Sequence, residues 1–171
     1  MQINKEDSAA PLALAQLPMY DWPEIATATD ALWGAIRDAL IQRNIRAPTT
    51  LDRSLPREQV WLSKQLLLSQ TCGLPLVQTL GKQVKVLGNF AYQGIAPAGE
   101  YHSVIIARAD NGKDLASLQG KCAAINGADS YSGYLAYKCA VASFTPGDGF
   151  FSEVLITGSH RESIRAVANG S

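Results

Sequence analysis

The chain has 171 residues, of which 47% are hydrophobic and 18% charged; this is the balance of a folded α/β protein with room for one sizeable domain or two small lobes, and it excludes a disordered chain. Fifteen lysines and arginines meet fifteen aspartates and glutamates, for a net charge of zero. With no basic run to offset that balance, nothing draws the chain to nucleic acid or to an acidic membrane surface, and a small, locally recognised ligand is the expected partner.

In chain order, Met1-Gln2-Ile3-Asn4-Lys5-Glu6-Asp7 carries charges of both signs and lacks the apolar core of about 7 to 15 residues that a secretory signal needs. The chain as written therefore predicts no export signal: it starts after one, or the protein stays in the cell. Pro11 to Leu17 reads as a buried first strand ending at Pro18-Met19-Tyr20. Asp21-Trp22-Pro23-Glu24 then has an acid at the N-cap, a proline in the first turn and a glutamate three residues after the cap, which predicts a helix to about Arg43. Its apolar face is read as Ile25, Ala28, Leu32, Ile36 and Leu40. A loop from Ala47 to Pro56 leads to a turn or two of helix at Glu58 to Lys64. Leu66-Leu67-Leu68-Ser69 is read as a buried strand, Pro75 to Leu80 as a helix, and Gln83 to Tyr92 as another strand.

Gly94-Ile95-Ala96-Pro97-Ala98-Gly99 is the most linker-like stretch and predicts a boundary between a first lobe, 1–98, and a second, 99–171. Beyond it, strands are expected at Tyr101 to Arg108, Lys121 to Ile125 and Phe150 to Thr157. Helices are expected at Asp114 to Leu118, Ser130 to Ala142 and Ser159 to Ala168. Strands alternating with helices imply mainly parallel sheets with right-handed crossovers in each lobe. The apolar runs Val60-Trp61-Leu62 and Leu66-Leu67-Leu68 fall far short of the roughly 20 residues of a membrane helix, so no membrane insertion is expected. Cys72, Cys122 and Cys139 are odd in number, far apart and without CxxC spacing; they are read as buried or partly buried thiols, not as a disulfide framework or zinc ribbon. No metal and no cofactor is expected.

Asn126-Gly127-Ala128-Asp129-Ser130-Tyr131-Ser132-Gly133-Tyr134 carries the most chemistry. It follows an apolar strand and opens a helix, where several backbone N–H groups have no partner within the helix and the helix end favours negative charge. Ser130 and Ser132 add hydroxyl donors, and Gly127 and Gly133 allow close approach. Plain N-capping by Asp129 or Ser130 explains the same residues. Thr157-Gly158-Ser159-His160-Arg161-Glu162 repeats the arrangement, with Ser159 and Glu162 as a capping box. His160 falls beside a strand C-terminus, where open α/β sheets bind ligands, and could either donate to an anion or be an ordinary solvated histidine. Pro18-Met19-Tyr20 and Ser69-Gln70-Thr71-Cys72-Gly73 put polar groups at the corresponding edges of the first lobe, as a cleft between two lobes requires. There is no GxSxG, GxGxxG, P-loop or HExxH, and His102 and His160 are too few for most metal cages; a Ser130–His160 pair would need an orienting acid that nothing marks, so no catalytic residue is expected.

Leu118-Gln119-Gly120-Lys121 leading to Asp129-Ser130-Tyr131-Ser132-Gly133-Tyr134, then Thr157-Gly158-Ser159-His160 and the helix ending Ala166-Val167-Ala168-Asn169-Gly170, resemble the substrate-binding proteins of phosphate, phosphite and phosphonate ABC transporters, a branch of the type 2 periplasmic binding proteins. The resemblance spans nearly the whole second lobe. It implies a solute receptor, not an enzyme, with two α/β lobes closing around a small oxyanion and an ABC permease as partner. It implies that Ser130, Tyr131, Ser132, Ser159 and His160 bind ligand, and in the less similar first lobe Tyr20, Ser69, Gln70 and Thr71. It also implies a periplasmic location, against which the missing signal leaves a cytoplasmic one open. Family chains continue past Gly170-Ser171, so a C-terminally truncated fold is expected. A ligand-sensing effector domain and a cofactor-biosynthesis enzyme on the same scaffold are the alternatives.

Overall fold

The structure, a computed structural model, describes residues 13–112, 114–144 and 149–170. The N-terminal charged segment, the start of the expected first strand at Pro11 and the final Ser171 lie outside the described residues. The chain forms two compact units, Met1–Thr71 and Cys72–Ser171.

In the first unit, strand β1 (Leu14–Ala15) pairs in parallel with β2 (Leu66–Leu68). The ladder is short because Leu14 faces Leu66 while Ala15 faces Leu68, a slip of register between neighbouring residues. Asp52 N–H donates to Ala15 O at 2.8 Å and extends the backbone pairing on β1. Helix α1 (Ala26–Ile41) follows a 3₁₀ turn at Pro23–Ile25, as proline in the first turn predicts. Asp21 does not cap it: the residue before the turn is Trp22, with no side-chain cap. The Asp21 carboxylate instead accepts from Arg53 Nε at 2.7 Å, and Arg53 also holds Asp30 at 2.9 Å. The buried face also differs from the expected one. Ile25 and Leu32 are exposed, and the face against the core is Trp33, Ile36 and Leu40. Trp33 takes that place because its indole ring fills the core with Ala15, Leu17 and Leu51, and its Nε1–H reaches Pro48 O at 3.2 Å. A buried indole needs such a partner. Helix α2 (Arg57–Trp61) leads into β2.

The second unit opens with α3 (Gly73–Pro75), which widens into a π-helical turn at Leu76–Leu80. From there to residue 112 the described chain has no ladder. The strands expected at Gln83 to Tyr92 and Tyr101 to Arg108 are therefore corrected: both have strand composition, yet Val104 stands 76% exposed and neither stretch pairs in a strand ladder. Strand propensity alone does not make a strand, since packing and pairing decide it. After a 3₁₀ turn at Ala116–Leu118, β3 (Cys122–Ile125) and β4 (Glu153–Ile156) form a parallel pair in unbroken register, Cys122 opposite Glu153 and Ile125 opposite Ile156. Between them runs a helix with a π-helical opening, Tyr131–Leu135, continuing as α4 (Ala136–Val141). Helix α5 (His160–Asn169) follows β4, packs on β3, and ends at Gly170 in the left-handed conformation. Its core is Leu118, Val141 and Phe150 with Tyr137 and Phe151 against it, and Phe150 meets Phe151 edge-to-face at 4.9 Å. Of the three thiols, Cys72 is half-buried, whereas Cys122 and Cys139 are exposed, contrary to the sequence reading.

Candidate functional site

Parallel pairing brings the ends of β3 and β4 to one edge of the second unit, and each strand runs directly into a helix start. Ser130 caps the first: its Oγ accepts from Gly133 N at 2.9 Å. Ser159 caps the second, accepting from Glu162 N at 3.2 Å. The Glu162 carboxylate takes Arg165 Nη1 at 2.6 Å, so the side chain expected to complete the capping box is turned along the helix. Gly158, at φ 87°, supplies the left-handed turn that swings β4 into α5, a conformation a side chain would disfavour.

These two starts meet. Ser132 Oγ lies 3.3 Å from His160 Nε2, across 28 residues of sequence. His160 is half-buried, and its burial pushes the imidazole below its ordinary value toward the neutral form. Tyr131 N–H reaches Cys72 Sγ at 3.4 Å, while the Tyr131 ring is exposed.

A polar cluster stands behind the pair. Thr157 Oγ1 lies 2.7 Å from Ser163 Oγ and donates to Ile125 O at 2.9 Å, and Ser163 Oγ reaches Asn126 Oδ1 at 3.4 Å. The Asn126 amide lies against Gly133, where an added Cβ would come within 2.7 Å of Asn126 Cγ. Sequence reading assigned no role to Cys72, Asn126, Thr157 or Ser163. Asn126 and Thr157 stood in the quoted motifs, and the signal that finds them is the register of β3 on β4. A groove of about 350 Å³ is lined by Leu155, Ile156, Thr157, Glu162, Arg165, Ala166 and Asn169.

The remaining expected residues lie in the first unit. Ser69 Oγ accepts from Trp61 Nε1 at 3.2 Å, and Gln70 O accepts from the same indole at 3.0 Å. Gln70 Oε1 accepts from Met19 N at 3.2 Å, which ties the turn after β1 to the end of β2. Tyr20 follows with φ 68°, a left-handed backbone uncommon outside glycine, and its exposed ring meets Trp22 edge-on at 6.1 Å. Thr71 completes the segment and is engaged by its surroundings. The structure thus assembles Ser130, Tyr131, Ser132, Ser159 and His160 at one edge of the second unit, and Tyr20, Ser69, Gln70 and Thr71 at one edge of the first.

Among the described residues no group of histidine, cysteine and carboxylate side chains could hold a metal, and no helix is long and apolar enough to cross a membrane. A search of curated proteins returns no match. Residues 63–171 match the family model described as ABC transporter, phosphonate, periplasmic substrate-binding protein. The matched region contains every element of the second unit and the end of the first, and its parallel β–α order agrees with the type 2 periplasmic binding fold that this family implies. The match covers more than half of the sequence, and the chain belongs to this family, whose members are the substrate-binding components of transporters and not enzymes.

Proposed function

We propose that this protein binds a small phosphorus oxyanion (a phosphonate, phosphite or phosphate) at the helix start Ser130–Gly133, and delivers it to an ABC permease. The observation that carries the reading is the 3.3 Å approach of Ser132 Oγ to His160 Nε2. It puts a hydroxyl and an imidazole together at one helix end, where the backbone dipole favours negative charge. Such a site needs no lysine or arginine: neutral donors and helix partial charges hold the anion, and His160 gains a proton as the anion arrives.

In this reading the anion lies in a cleft between two lobes, residues 1–98 and 99–171, that close on it by hinge motion. Residues 72–98, part of the second compact unit, are then assigned to the first lobe. Tyr20 supports the cleft: backbone held in a sparsely populated region collects where a ligand is gripped. Ser69, Gln70 and Thr71 line the same edge. The location is periplasmic, as family membership suggests.

The test is thermal and calorimetric titration of the protein with methylphosphonate, phosphite, phosphate and sulfate. A ligand at about a hundredfold over its Kd adds roughly 2.7 kcal/mol of stability. Stabilisation by a phosphorus oxyanion that Ser132→Ala removes is the expected result. No response to any of the four would refute the reading.

A further inference from the structure

We propose that Asn126, Thr157 and Ser163 form a positioning network that sets the distance between Ser132 and His160. The inference deepens the anion reading and rests on it for its functional meaning, but its geometry stands within the second unit alone. Asn126 is the first residue past β3 and Thr157 the first past β4, and the pairing of Ile125 with Ile156 sets them side by side. Thr157 N–H donates to Ile125 O and Gly158 N–H to Asn126 O, both at 2.8 Å, so the backbone locks the two strand ends together.

The side chains then tie both helices to this seam. Ser163 lies one turn after His160 on α5, on the same helix face. Its hydroxyl is held between Thr157 Oγ1 at 2.7 Å and Asn126 Oδ1 at 3.4 Å, which fixes the rotation of α5 and with it the direction of His160. Asn126 acts on the other partner. With Oδ1 on Ser163, its amide fills the space beside Gly133, one residue from Ser132, and seats the start of the helix there. One asparagine thus bears on both members of a contact whose length decides whether hydroxyl and imidazole can share one anion oxygen. Glycine at 133 is required by this seat, since any side chain would occupy the place of the Asn126 amide.

The network predicts a signature that loss of a merely stabilising bond would not give. In an NMR pH titration of the ligand-free protein, Ser163→Ala raises the His160 midpoint toward its ordinary value, because the ring turns outward and regains water. Thr157→Val does the same at nearly constant volume, while Thr157→Ser keeps the hydroxyl and the wild-type midpoint. In parallel, methylphosphonate affinity falls about tenfold or more in Ser163→Ala and Thr157→Val and is retained in Thr157→Ser. An unmoved His160 midpoint in folded Ser163→Ala and Thr157→Val overturns the network. Should Ser163→Ala fail to fold, the Thr157→Val and Thr157→Ser pair decides alone. If wild-type protein binds no oxyanion, the function proposed above fails, while the titration still judges the network.

Discussion

The two units carry the same local design, a parallel strand running out into a polar turn and then a helix, and use it differently. At the end of β2, Ser69 and Gln70 point their polar groups back into their own unit, where the Trp61 indole and the Met19 amide take them up. At the ends of β3 and β4, side chains of two successive strand-to-helix turns meet each other instead, Ser132 against His160. A polar residue at a strand end is thus no sign of a ligand by itself. What distinguishes the second edge is that two such turns converge, and convergence requires adjacent strands in matched register.

The largest expected effects probe the cores beneath the two edges. Trp33→Ala in the first unit and Phe150→Ala in the second each remove a ring buried to within 2% of full cover, and each should cost about 3 to 5 kcal/mol in denaturant unfolding. If each loss is confined to signals of its own unit, the division into two compact units holds in solution. If both melt together, the comparison dissolves into one cooperative body.

Glycines sharpen the contrast next. Gly133→Ala should destabilise by about 1 to 3 kcal/mol and abolish anion binding, because the new methyl meets the Asn126 amide. Gly34→Ala, within α1 with open space around it, should stabilise by roughly 0.5 to 1 kcal/mol.

Smaller effects separate structural polar groups from ligand-facing ones. Trp61→Phe should lower stability by about 1 kcal/mol through the lost indole bond. Ser132→Ala should do the reverse, leaving the melting temperature nearly fixed while binding is lost.

The smallest is a pH effect on His160. Its imidazole sits below its ordinary value because burial disfavours the charged form. Unfolded chains then bind more protons than folded ones between the two values, so this group's contribution is present above the unfolded value, about 6.5, and is lost as pH falls through the folded one. His160→Asn should flatten that decline in a melting-temperature profile. Anion binding has the opposite sign, since a bound anion favours the protonated ring: affinity should rise as pH falls through the same range.

Helix starts were legible in the sequence because capping is local. Ser130 and Ser159 act within three residues of themselves, and their signal is a short word. The order of β3, helix, β4 and α5 was legible for a related reason, as each apolar run ends at a polar turn. Asp21 misled because two readings fit an acid ahead of a helix, and Arg53, thirty-two residues away, decided for an ion pair. The stretch from 83 to 108 misled in another way: its alternation is that of a strand, but a strand exists only where an edge receives it. Asn126, Thr157 and Ser163 could not be read at all, since their partnership arises only after Ile125 and Ile156 are laid side by side. The Ser132–His160 contact belongs to the same class: both residues were marked singly, and their meeting is a product of the sheet.

Arg108 fastens this unladdered stretch to the folded part. Its guanidinium grips Asp110 at 3.2 Å and, through Nη1, the Ala168 carbonyl at 3.3 Å, where the last turn of α5 gathers partial negative charge. The clasp is electrostatic and open to water, so dissolved salt loosens it. Limited proteolysis near residue 108 thereby becomes a gauge of ionic strength, with the cut quickening in brine while the sheet itself stays whole.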